Sequence, residues 1–307
     1  MNEELKIKKN LVEYEKWLRL NNLSPNSITS YINALNKFFD KYKVMTKDNL
    51  LSYKGIMSET LAVKTANLRI VAINSYIKWW CEKTDNAAFL KLQLKQFTEQ
   101  KRTYLENVVS NQEYRQFLDY LKAHIDDVKQ TKRDKNNPHL IVGSTSNGYS
   151  YEKMYYIIRC IACTGVRISE LTRFSVYGVR DGYFDLVCKG GKVRRIYIAK
   201  SLQAELLEWI EKRNITGFLF INREGDKLSE RGIAHQMKNM VRKAGLNEKV
   251  FYPHSFRHLY AKNFLARRQD LALLSDLLGH SSIETTRIYL RMTSEEQKQI
   301  VDSVVDW

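Results

Sequence analysis

Tyr183-Phe184-Asp185-Leu186-Val187-Cys188-Lys189-Gly190-Gly191-Lys192-Val193-Arg194-Arg195-Ile196-Tyr197-Ile198 is the stretch that decides the fold class. The runs Tyr183–Cys188 and Val193–Ile198 alternate in the way a half-buried strand does, and the glycines between them suit a tight connection. The spacing predicts a β-hairpin. Elsewhere the apolar residues recur at helical intervals, so the expected fold is mainly α with one small hairpin.

Upstream, residues 3–95 read as helices throughout. Leu5, Leu11, Val12, Tyr14, Trp17 and Leu18 mark a first face. Ser24-Pro25 supplies an N-cap and a first-turn proline for a second helix, whose face carries Ile28, Tyr31, Ile32, Leu35, Phe38 and Phe39. A short helix around 47–55 and a long one over 61–81 follow, the latter with Ile70, Val71, Ile73, Ile77 and Trp80 inward. Such a set of helices makes a small bundle. The polar string Phe97-Thr98-Glu99-Gln100-Lys101-Arg102-Thr103 then predicts a boundary: a helical domain over 1–97, a linker over 98–109 and a second domain over 110–307. The polar stretch 126–147 reads as a surface loop, with a DNA-contacting insertion as the alternative. After Leu202 the helical pattern returns and persists to the end.

The chain has 307 residues, 44% of them hydrophobic, with only 3 prolines and 13 glycines. That is enough apolar material for proper cores and too little breaker content for long disorder. Lys plus Arg number 50 against 34 Asp plus Glu, a net charge of +16. The surplus favours a polyanionic partner through counterion release and steering, although charge alone does not separate nucleic acid from an acidic membrane surface. The start Met1-Asn2-Glu3-Glu4-Leu5-Lys6 lacks the apolar core of a signal peptide, and no run approaches the ~18 apolar residues of a membrane span. A cytoplasmic protein with no membrane partner is expected. Cys160 and Cys163 form a C-x-x-C inside an apolar run without a second pair, which reads as two core thiols rather than a zinc site.

Three short strings carry the chemistry. Pro253-His254-Ser255-Phe256-Arg257-His258 opens a predicted helix and puts His254, Arg257 and His258 on one face. The histidines have the spacing of a zinc-binding H-E-x-x-H, but no Glu follows His254 and a guanidinium stands between them. Leu277-Leu278-Gly279-His280-Ser281-Ser282 ends one helix at a glycine and caps the next with serine, and nine residues past His280 comes Tyr289. Thr164-Gly165-Val166-Arg167-Ile168-Ser169-Glu170-Leu171 places an arginine after a glycine turn with a carboxylate three residues on.

Together, in this order and spacing, the strings resemble the tyrosine recombinases, the phage integrases and Xer-type recombinases. The resemblance covers nearly the whole chain and is strongest over 163–171, 253–260 and 277–290. It implies a helical core-binding domain followed by a catalytic domain. It also implies a DNA recombinase that cleaves and rejoins strands through a 3′-phosphotyrosyl intermediate, for integration and excision, inversion or resolution. Arg167 and Arg257 correspond to the two phosphate-clamping arginines, His254 and His280 to the two active-site histidine positions, and Glu170 to the acidic support of the first arginine. Tyr289 corresponds to the nucleophile. The hairpin lysine falls on Lys189, with Lys192 three residues away as the alternative and Cys188 standing where the family string has glycine. Positioned cations stabilise charge on a phosphodiester under attack, so neither a metal nor any other cofactor is expected.

The resemblance further implies a clamp around double-stranded DNA at inverted-repeat core sites. Lys64, Thr65, Asn67 and Arg69 look like a DNA-facing helix string, with Arg231 and Lys238 as the contacts expected from the second domain. The amphipathic tail 294–307 is expected to pass to a neighbouring subunit and build a homotetramer on two DNA sites, from a monomer or weak oligomer in the absence of DNA. A type IB topoisomerase or a non-catalytic DNA-binding regulator are the competing readings.

Overall fold

Capping chemistry starts most of the helices, and the capped helices form two units, residues 1–101 and 102–307. The structure, a computed structural model, describes residues 5–98, 108–125, 147–187, 193–222, 224–280, 282–290 and 294–305. The linker 98–109, the polar stretch 126–147 and the hairpin connector therefore lie almost wholly outside the described residues.

The first unit runs β1 (Ile7–Lys8), α1 (Leu11–Leu20), α2 (Pro25–Phe39), β2 (Val44–Met45), α3 (Lys47–Thr60), α4 (Val63–Thr84) and a 3₁₀ turn over Ala87–Leu92. Ser24 accepts a hydrogen bond from the Ser27 amide at 3.2 Å, and Pro25 occupies the first turn of α2. The helical periodicity of 3–95 predicts helices throughout. Instead β1 and β2 pair antiparallel, with Ile7 opposite Met45. The reason is the buried phenol of Tyr76, which donates to Lys8 O and accepts from Asn10 N, fixing an extended segment against α4.

The core of this unit is aromatic, with Tyr14, Phe38, Phe39, Tyr76 and Trp79 in mutual contact. Several positions differ from the predicted faces, half-buried Val71 among them. Trp79, not Trp80, is buried on α4, and Val12 is 72% exposed on α1. Both lie at the edge of their apolar stripe, where a helical period alone leaves the inward residue ambiguous. The helix expected around 47–55 extends to Thr60 because Ile56 and Met57 prolong its apolar face and Met57 reaches the core. Asn67 and Asn74, two turns apart on α4, hold the segment after the 3₁₀ turn. Each amide both donates to and accepts from one backbone residue, Phe97 and Leu94 respectively.

The second unit runs α5 (Asn111–Ala123), α6 (Asn147–Thr164), α7 (Ile168–Leu171), α8 (Val176–Asp181), β3 (Tyr183–Val187), β4 (Val193–Tyr197) and α9 (Lys200–Arg213). It continues with α10 (Glu230–Lys243), α11 (Pro253–Arg267), α12 (Leu271–Leu278), α13 (Ile283–Arg287), a 3₁₀ turn over Ile288–Leu290 and α14 (Ser294–Val304). Ser110 and Glu113 form a reciprocal capping box on α5. β3 and β4 make the predicted antiparallel hairpin, with Phe184 opposite Ile196 and Leu186 opposite Arg194. Between α9 and α10 the chain is not purely helical, since β-bridges join Ser175 to Phe218 and Ile221 to Lys227.

Phe117, Met154, Ile158, Phe174, Trp209, Phe220, Met237 and Phe256 belong to the main core of this unit. Burying each such side chain stabilises the fold by roughly 1.5–3 kcal/mol. A smaller cluster of Ala261, Leu265, Leu274, Leu278 and Tyr289 joins α11, α12 and the last 3₁₀ turn. Cys160 is fully buried in the main core, where desolvation pushes its thiol well above the ordinary range. No described helix is long and apolar enough to cross a membrane.

Candidate active site

Three carbonyls at the C-terminal end of α12 organise the site. The last turn of a helix leaves C=O groups unpaired and carries the negative end of the helix dipole, which attracts cations. Here the carbonyls of three consecutive residues each accept from a different arginine. Leu277 O takes Arg194 Nε at 2.9 Å, Leu278 O takes Arg257 Nη2 at 2.6 Å and Gly279 O takes Arg167 Nη2 at 3.2 Å.

Arg257 lies at the centre and is fully buried. Pro253 begins α11, which places Arg257 one turn in, where its other terminal nitrogen donates to Gly165 O. That carbonyl is available because α6 ends at Thr164 and the chain turns through Gly165 at φ +64°. A side chain could not replace this hydrogen: a Cβ on Gly165 would stand 2.5 Å from a ring carbon of Tyr260 and 2.8 Å from Leu278. Burial, then the nearby charges of Arg167 and Arg194, bring Arg257 down to about 10, so it stays cationic at neutral pH.

Arg167 precedes α7 and is the most open of the three, its side chain 36% exposed. Its backbone N donates to Glu170 Oε2 at 2.8 Å and its Nη1 to Oε1 at 3.0 Å. Burial would raise the Glu170 carboxyl. The hydrogen bond from the Arg167 backbone and the charges of Arg194 and Arg167 outweigh it and hold the group below the usual carboxylate range.

His280 follows Gly279, whose left-handed φ of +61° ends α12. Its Nε2 lies 3.0 Å from Arg257 Nη2, and its Nδ1 lies 2.7 Å from the hydroxyl of the buried Thr286. A guanidinium only donates, so Nε2 accepts and Nδ1 carries the proton that goes to Thr286. Desolvation and the three arginines hold the ring down to about 4, hence neutral.

Tyr289 is 4% exposed and packs its ring against His280 (centroids 6.1 Å) and His258 (5.1 Å). Burial raises its phenol, while the charge and hydrogen-bonding reach of Arg257, and the charge of Arg167, pull it back. His254 is the solvent-exposed member of the group and stacks edge-on against His258 at 4.8 Å. Local desolvation, then Arg257 and Arg167, lower its pKa and favour the neutral ring that can accept a proton.

The structure thus brings Arg167, Glu170, Arg257, His280 and Tyr289 into one network, with His254 at its open edge. Lys189 and Lys192 lie outside the described residues. Three residues that sequence reasoning left without a role complete the picture. Thr286 orients His280, His258 stands between His254 and Tyr289, and Arg194 links β4 to Glu170 and Leu277. A signal for Arg194 was present: the hairpin alternation gives a charged residue an inward position.

The chain matches the phage integrase family over residues 134–296. It belongs to that family. Tyrosine recombinase XerA of Pyrococcus horikoshii is 27% identical over 305 residues, spanning 95% of this integrase-family chain and 92% of the relative. Tyrosine recombinase XerH of Campylobacter jejuni is 26% identical over 309 residues, 92% of this chain and 81% of the relative. Among solved structures, a XerH recombinase bound to palindromic difH substrate in a post-cleavage complex aligns with a TM-score of 0.67 at 20% identity. That alignment spans 96% of this chain and 83% of the other. This integrase-family chain is therefore a Xer-like, tyrosine-type site-specific recombinase.

The expected DNA-contact residues stand as follows. Lys64 and Thr65 are exposed at the start of α4, while Arg69 donates to the Tyr53 hydroxyl at 3.1 Å. Asn67 engages both ends of its amide with the Phe97 backbone. Arg231 and Lys238 are exposed two turns apart on α10, with His235 between them and Arg242 beyond. Lys238 and Arg242 share Glu248 as an ion-pair partner.

Proposed function

We propose that this recombinase cleaves duplex DNA by attack of Tyr289 on a backbone phosphate. The Tyr289 oxygen bonds to phosphorus, the bond from phosphorus to the 5′ oxygen breaks, and a 3′-phosphotyrosyl ester and a free 5′ hydroxyl result. Arg257 and Arg167 hold the non-bridging oxygens, where charge accumulates during attack. His254 accepts the phenolic proton and Lys189 on the hairpin returns one to the departing 5′ oxygen. The phosphotyrosyl ester keeps the bond energy, so a second DNA end reverses the step without ATP. The fixed guanidinium groups supply the positive charge, and the scheme uses no metal.

The observation that carries this reading is the stacking of the Tyr289 ring on His280, whose Nε2 accepts from Arg257 at the end of α12. A tyrosine titrates about three units above neutral pH, roughly 4 kcal/mol, and a cationic pocket offsets part of that deficit.

The proposed substrate is double-stranded DNA with inverted-repeat core sites, engaged by a homotetramer on two sites in the cytoplasm, at the nucleoid. The palindromic difH complex of XerH and a lambda integrase dimer on a core site support this choice of ligand. The helical part over 1–97 serves as the core-binding domain, with Lys64, Thr65 and Arg69 toward DNA. Arg231 and Lys238 extend the contact from α10. The apolar side chains of α14, with Val301 55% and Val304 59% exposed, fit a helix that docks on a neighbouring subunit.

A nicked duplex carrying the repeats that flank the gene tests the chemistry. The expected result is a denaturation-resistant protein–DNA adduct that Tyr289→Phe abolishes while DNA binding persists. An adduct formed equally by the phenylalanine variant rules out Tyr289 as nucleophile.

A further inference from the structure

Arg194 has no assigned part in this chemistry, yet it is built into the floor of the site. It sits at an inward position of β4, opposite Leu186 and in line with Ile196. Its side chain is only 5% exposed. A buried guanidinium is costly unless its donors are met with good geometry. Here Nη1 donates to both oxygens of Glu170 at 3.0 Å and Nε donates to Leu277 O at 2.9 Å. The stem packs directly beneath the turn that leads to His280, since a Cβ on Gly279 would stand 2.4 Å from Arg194 Cδ.

We propose that Arg194 is a positioning residue for strand cleavage, acting through Glu170 on Arg167 and through the Gly279 turn on His280. Glu170 is a single carboxylate between two guanidinium groups. With Arg194 occupying part of it, Arg167 makes one side-chain contact to Glu170 and points its other terminal nitrogen toward Gly279, at the open side of the site. Without Arg194, Glu170 keeps only its contacts to the Arg167 backbone N and Nη1, and its full charge can draw the Arg167 guanidinium against the protein, away from a bound phosphate. The same loss removes the hydrogen bond on Leu277 O and the support under Gly279, loosening the turn that sets His280. Arg194 commits its Nη1 to Glu170 and its Nε to Leu277 O, so its part is to position other groups. It connects the hairpin to Arg167 and to the turn before His280.

This inference rests on the reading of Arg167 as a phosphate ligand, and the test separates the two. Adduct formation on the nicked duplex is measured at saturating protein for wild type, Arg194→Met, Arg194→Lys, Glu170→Gln and the Met/Gln double variant, alongside DNA binding and Tm. Arg194→Met is expected to slow adduct formation about 10²-fold with DNA binding within about twofold, the signature of a group that acts on the transition state. Arg194→Lys keeps the charge but cannot serve both carboxylate oxygens and Leu277 O, so it is expected to be about tenfold slow. Residues acting as one unit are non-additive, so the double variant is expected within about threefold of the slower single one. A wild-type rate for Arg194→Met, or losses that multiply in the double variant, overturns the inference. If Arg194→Met does not fold, the lysine variant decides: a wild-type rate overturns the inference and a tenfold loss with native Tm and binding supports it. Absence of adduct with the wild-type protein refutes the parent reading instead.

Discussion

Arg257 donates to His280, and the imidazole accepts. The donor-only chemistry of the guanidinium fixes the tautomer, and Thr286 completes it by taking the Nδ1 proton. One buried cation thereby holds the α6 turn, the end of α12 and the orientation of His280 at once.

Arg257→Lys is expected to be severely impaired although charge is conserved. One ammonium cannot serve Gly165 O, Leu278 O and His280 Nε2 together, and each buried acceptor left unmet costs ~1–3 kcal/mol. A Tm several degrees below wild type and adduct formation slowed at least ~10²-fold are expected. Thermal melts and the nicked-duplex assay would show both, and a variant with wild-type cleavage would contradict the account.

Acid should destabilise the catalytic unit well before its carboxylates protonate. His258 is held down to about 4 by burial first, then by His254, Arg257 and His280, and its Nδ1 is buried with no partner among the described residues. Its folded pKa lies below the unfolded value, so the unfolded state binds more protons and stability falls as pH drops from about 6.5 toward 4. Melts at pH 7 and pH 5 are expected to separate, and His258→Phe to narrow the gap. A gap unchanged by that substitution would mean His258 is not its source.

Gly165 and Gly217 offer a matched comparison. Both have positive φ, +64° and +74°, but a Cβ on Gly217 meets nothing within 4 Å. Gly217→Ala should therefore carry only the backbone strain, about 1 kcal/mol. Gly165→Ala adds the collision with Tyr260 and should cost at least ~2 kcal/mol more, with loss of cleavage because its carbonyl braces Arg257. Equal melting temperatures for the two variants would count against this.

On α10, Arg231→Ala is expected to weaken duplex binding across all sequences and to reduce the slope of log K against log salt by about one. Lys238→Ala should do less, because Glu248 already neutralises part of its charge. Binding titrations at several salt concentrations would measure both slopes, and an unchanged slope for Arg231→Ala would remove α10 from the interface.

Removing 294–307 is expected to leave DNA binding intact and to abolish recombination between two duplexes. The deleted segment exposes Ile300, Val301, Val304 and Val305, and none of its described residues belongs to either apolar core of the unit. Strand exchange at wild-type yield by the truncated protein would exclude a subunit-bridging role.

Hydrophobic patterning along the chain is enough for the fold class and the hairpin, and the resemblance of three short strings picks out Arg167, Glu170, His254, Arg257, His280 and Tyr289. These are local features: a period, a cap, or a short string whose spacing survives without knowledge of any distant contact. That Arg194 joins the site is visible only in the folded chain, since its Glu170 and Leu277 partners are 24 and 83 residues away. Tertiary structure likewise decided that Asn67 clamps Phe97, that Tyr76 draws residues 7–8 into a strand, and that Trp79 is buried rather than Trp80. Each of these depends on which buried polar group finds which backbone partner, or on how helix faces meet. Such pairings follow from desolvation in the packed chain: alternation gives Arg194 its inward place, but no period in the sequence names its partners.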